Sequence, residues 1–80
     1  MRAAMLKELD PVVLTRDVPE RHLSKGDVGT VVHVYANEKT YEVEFMTAEG
    51  RTVAVLTLPG AALRKPEDHD MLHVRRIASA

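Results

Sequence analysis

His69 and His73 stand four residues apart, a spacing that places both on one face of a helix, with Asp68 and Asp70 beside them. Two imidazoles and a carboxylate are the raw material of a zinc site. Zinc takes at least three protein ligands, however, and the chain has no cysteine and no third ligand at a dependable spacing. No metal and no cofactor is expected. His22, Ser24 and Asp27 contain the residue types of a nucleophilic triad within six positions, but no nucleophile elbow or oxyanion device accompanies them. Glu42 and Glu44 are paired carboxylates, yet both project from one side of one strand, whereas glycosidic chemistry needs them across a cleft. Gly26-Asp27-Val28-Gly29 lacks the Lys-Ser/Thr and the helix that would make it a phosphate cradle. No catalytic residues are assigned, and the expectation is a protein that is not an enzyme.

The elements that would carry these residues read as strands. Val12-Val13-Leu14-Thr15 is a first strand, with Pro11 acceptable at its start. Residues 16–25 form a polar loop over which Leu23 tucks inward. Gly26 and Gly29, flanking Asp27, mark a tight turn, in which the Asp side chain bonds the following backbone. Thr30–Tyr35 is the second strand, and its Gly29, Val31 and Val34 spacing requires a bulge. Tyr41–Phe45 alternates cleanly, with Tyr41, Val43 and Phe45 on one face and Glu42 and Glu44 on the other. Gly50 turns the chain into Thr52–Leu58, apolar on both faces and therefore expected to be central or covered. Pro59-Gly60 stops it, Ala61-Ala62-Leu63 suits a 3₁₀ turn, and Arg64-Lys65 begins a short closing strand. Strands at this spacing, joined by polar turns, predict an all-β fold: a small five-stranded SH3-like barrel spanning residues 10–66. A weakly helix-compatible segment, 1–9, precedes it. An extension, 67–80, follows, in which Met71, Val74 and Ile77 suit a helical face and Leu72-His73-Val74 an added strand.

Eighty residues make one small domain with a thin stability margin. No apolar run approaches a membrane span, and residues 1–8 lack the apolar stretch of a signal peptide, so a soluble cytoplasmic protein is expected. The net charge of −1 argues against a strong nucleic-acid binder. Charge is uneven: Asp27, Glu38, Glu42, Glu44 and Glu49 face only Lys39 between positions 27 and 50, while the C-terminal part carries Arg51, Arg64, Lys65, Arg75 and Arg76. Of the aromatic residues Tyr35, Tyr41 and Phe45, Tyr35 alone is expected at the surface, too few for a base-stacking or proline-motif groove.

The run Gly26-Asp27 through Val34, followed by Gly50-Arg51-Thr52-Val53 and Leu63-Arg64-Lys65, resembles the KOW-type and translation-protein SH3-like barrels. A closer resemblance covers residues 8 to about 65. Glu8-Leu9-Asp10, Val12–Thr15, Leu23–Tyr35 and Tyr41–Phe45 are similar to a family of short, uncharacterised bacterial proteins, a domain of unknown function. That resemblance implies a stand-alone SH3-like barrel, often beside toxin-like or other small neighbours, and supplies no catalytic residues. A protein-interaction module is the resulting expectation, its partner another protein chain or a second copy. Tyr35, Glu42, Glu44, Arg64, Arg75 and Arg76 are the candidate contact residues. The alternative is an RNA or ribosome contact through Lys25, Arg51, Arg64, Lys65, Arg75 and Arg76.

Overall fold

The computed structural model describes residues 6–72 and 74–77; His73 and the two chain ends within the N-terminal and tail readings lie outside them. Five antiparallel strands form one sheet: β1 (Pro11–Leu14), β2 (Val28–Val34), β3 (Thr40–Met46), β4 (Thr52–Pro59) and β5 (Leu63–Arg64). They lie in the order β4-β3-β2-β1-β5, with 3₁₀ turns at Pro19–Arg21 and Gly60–Ala62. No described residue is in an α-helix. The sheet is open: no ladder joins β4 to β5, so closure does not remove the edges. β4 is therefore an edge strand, which corrects the expectation of a central one. On its second apolar side Val55 is exposed, while the half-buried Val53 packs against the core.

One face of the sheet holds the core. Val12, Leu14, Val31, Tyr41, Val43, Phe45, Ala54, Leu56, Leu58 and Leu63 alternate inward from all five strands. Leu23 reaches the same core from the long loop, and so does Leu6, upstream of the expected barrel boundary. Residues 6–9 form a turn rather than a helix. Its geometry is fixed locally, because the Lys7 N–H donates to Asp10 Oδ2 at 2.9 Å and the Asp10 N–H donates to the Lys7 carbonyl at 3.0 Å.

The required bulge is present in β2. Val31 pairs with Val43 and His33 with Glu42, so Val32 is the extra residue. It lets Val31 stay fully buried while Val34 still packs on the core two turns of the pleat later. β2 also begins earlier than predicted, because Val28 and Gly29 already pair with Val13 and Val12. Gly26 and Gly50 have φ of 96° and 89°, the left-handed backbone that a turn needs. Gly29 is a strand residue and serves another purpose, close packing.

Candidate functional site

The outer face of the sheet, opposite the core, gathers three of the six candidate contact residues, Tyr35, Glu42 and Glu44. By register, His33 lies beside Glu42 and Thr57, and Thr30 beside Glu44 and Val55. Tyr35, just past β2, is half-buried rather than a free surface aromatic. Its hydroxyl donates to Glu42 Oε1 at 3.1 Å, and its ring meets His33 edge-on at 4.7 Å between centroids. His33 Nδ1 in turn stands 4.0 Å from Glu8 Oε2. Glu44 accepts from the Thr52 hydroxyl at 2.6 Å. Both carboxylates are thus half-buried and each accepts from a side-chain hydroxyl, so they are not two free groups on a bare strand.

Arg64 and Arg75 belong to a second feature, the C-terminal tail. The described tail residues, 67–72 and 74–77, are in neither helix nor strand. They are nonetheless held in place. Arg64 grips Asp70 with both terminal nitrogens, at 2.7 and 3.0 Å, and Asp70 also accepts the Glu67 N–H. Farther along, Arg75 Nε donates to Asp27 Oδ1 at 2.8 Å, and its Nη2 donates to the His22 carbonyl at 3.0 Å. Asp27 thereby has two tasks. Its Oδ2 caps the loop by accepting the N–H of Ser24, and its carboxylate anchors the tail.

These two anchors flank Val13. It lies on the face away from the core, opposite Val28 and Arg64, yet is only 4% exposed. Asp70 is thus tied on the β5 side of β1, and Arg75 is tied at Asp27, just ahead of β2 on its other side. The same tail turns other apolar side chains to solvent: Met71 is 86% exposed, Leu72 72% and Val74 94%. Leu72 and Val74, together with Val28, Met46 and Val53, border an open groove of about 440 Å³. Arg76 is exposed beside it. A larger open groove, about 1020 Å³, is lined by Leu6, Val34, Tyr41, Pro59 and Leu63 at the other end of the sheet. The sequence carried little sign of it, because Leu6 sits in a segment without pattern.

The metal and triad readings find no support in the geometry. His69 is exposed, Asp70 is committed to Arg64, and His73 lies outside the described residues. Among the described residues no three His, Asp or Glu side chains gather as a metal-ligand set. The Asp27 carboxylate faces Arg75, while His22 closes a 3₁₀ turn in the left-handed conformation, bonded through its backbone.

The Arg64 guanidinium and the Glu67 N–H hold the Asp70 carboxyl well below its ordinary range, at about 2. A depressed carboxylate pKa makes the contact fully present above the unfolded value and lost as pH falls toward the folded one. The Asp70 carboxyl carbon should accordingly titrate by NMR with a midpoint about 2, the tail staying anchored through neutral pH. A midpoint at the ordinary carboxylate value would mean that the pair does not persist in solution. The effect on global stability is small, since exposed ion pairs contribute little.

Five antiparallel strands over one core, with a tail tied at Arg64 and Asp27, define a small open β-domain in which no catalytic constellation stands out among the described residues. The chain belongs to the family described as Domain of unknown function (DUF4926), which matches residues 8–65. The match ends where the tail begins. No curated protein and no solved structure matches the chain.

Proposed function

We propose that this protein is a non-enzymatic protein-interaction module built on a small SH3-like barrel, a candidate neutralising partner of a neighbouring protein. The observation that carries this reading is the tail. Ion pairs hold it at Arg64 and at Asp27, yet Met71, Leu72 and Val74 project into solvent. Apolar side chains presented on a pre-positioned segment lose little entropy on docking, which favours them as contact residues. Arg76 adds a charge at the edge of that surface, and Tyr35, Glu42 and Glu44 offer a polar patch elsewhere on the sheet. The anchoring itself weakens the RNA alternative, since Arg64 and Arg75 already face Asp70 and Asp27 instead of standing free for phosphate.

The test is affinity capture from lysate of the native cell, divided with and without nuclease and washed at about 50 and 200 mM salt. One stoichiometric protein should survive both treatments, and Leu72→Asp combined with Val74→Asp should abolish its recovery while leaving the melting curve intact. Recovery of RNA that vanishes with nuclease or higher salt would replace this reading with phosphate binding.

A further inference from the structure

β4 is an edge whose free backbone groups can be assigned. The Gly60 N–H donates to the Lys39 carbonyl, and Thr40 pairs with Pro59. Hydrogen-bonded and non-hydrogen-bonded pairs alternate along an antiparallel ladder. Tyr41–Leu58 and Val43–Leu56 are therefore the bonded pairs, and the N–H and C=O groups of Val55 and Thr57 point away from β3. No described residue pairs with that side. The window is bounded at both ends. The register shifts between Phe45 and Met46, which leaves Val53 as an extra residue in β4, and Pro59 has no N–H to give.

We infer that a second copy of this chain covers this edge, β4 pairing antiparallel with its counterpart about a local two-fold axis at Leu56. In that register Val55 of each copy lies opposite Thr57 of the other, and each residue exchanges both of its free backbone bonds. The bulge and the proline exclude longer registers, so the bounded window fits its own copy. Charge agrees with this occupant. Nothing from Thr52 to Pro59 is charged, so no like charges meet across the axis. The closest carboxylates on the outer face, Glu44 beside Val55 and Glu42 beside Thr57, would be separated across the joint by three strand spacings, roughly 14 Å. That exceeds the screening length of about 8–10 Å at moderate salt. The opposite edge of the sheet offers no such site, because β5 has two residues and its Arg64 is tied to the tail. Natural edges avoid association with charge, bulges or cover; between Ala54 and Leu58 β4 has neither charge nor bulge, and no described residue pairs over it. This inference concerns another surface and stands apart from the tail reading.

Sedimentation equilibrium of the full chain across a concentration series tests it, with Val55→Pro and Val55→Lys as variants. The Val55 N–H lies outside the β3 ladder and its side chain is 43% exposed, so proline there spares the fold's own hydrogen bonds. The wild type should form a dimer, and both variants should raise the dissociation constant at least about tenfold. Amide exchange of the wild type provides a readout independent of variant folding: Val55 and Thr57 should become protected as concentration rises. A wild type that stays monomeric would overturn the inference. So would a dimer in which those two amides exchange rapidly at every concentration, or one that both folded variants retain.

Discussion

Replacing Phe45 with Ala should cost about 3–5 kcal/mol, the range for emptying a buried aromatic site. Phe45 is the only phenylalanine of the chain and is 2% exposed. It sits inward on β3 between Val43 and the turn, opposite Ala54 on β4 and beside Gly29 on β2. Ala54 is too small to fill the vacated space, and the glycine contributes no side chain at all. A cavity there cannot collapse without moving two ladders. Native stabilities of roughly 0.05–0.15 kcal/mol per residue give a chain of this length only about 4–12 kcal/mol in total. The substitution therefore removes a large part of the margin, and urea denaturation should show the midpoint falling sharply. A change below about 1 kcal/mol would mean that the core is not packed around this ring.

Gly29→Ala is the complementary experiment, adding one methyl where Phe45→Ala removes a ring. A Cβ on Gly29 would lie 2.7 Å from Val43 Cγ1 and 2.8 Å from Phe45 Cε1. Neither neighbour is the loose end of a flexible side chain, since both are buried at the centre of the sheet. Overpacking of this kind costs about 1–3 kcal/mol. The cause is steric, because Gly29 is not among the positive-φ residues. Combining Gly29→Ala with Phe45→Leu separates the two contacts. If crowding of the ring is responsible, the second change relieves it and the pair falls short of additivity by more than about 0.5 kcal/mol. Strict additivity would place the cost at Val43 rather than at the Phe45 ring.

The contrast between these two residues shows how far the sequence could be read. The inward set of β3 was legible because Tyr41, Val43 and Phe45 alternate with Glu42 and Glu44, a period only a half-buried strand explains. The bulge was legible from the Gly29, Val31 and Val34 spacing. The role of Gly29 was not, since a glycine after Asp looks the same in sequence whether it turns the chain or makes room for a ring across the sheet. β4 misled for a related reason. Val53 and Val55 make both its sides apolar, which reads as burial, and only the sheet order reveals an edge. In the candidate site, the sequence singled out Arg64, Arg75 and Asp70 without their partners. Asp27 and Arg75 are 48 positions apart, and no local pattern links residues so distant. Asp70 drew attention through its histidine neighbours, while its bond to Arg64 depends on where the tail turns back.

The sheet order has a consequence for how the chain acquires its structure. β2, β3 and β4 pair with their neighbours in sequence, so this meander can zip up through short loops. β1 finds its outer partner only in β5, closing a loop on the order of 50 residues. During synthesis the first strand leaves the ribosome early and waits for the last one, which emerges just ahead of the tail. Until then Leu14 lacks the neighbour across the ladder, Leu63, that completes its burial. Folding of this sheet is therefore completed by β5, after the other four strands have been made.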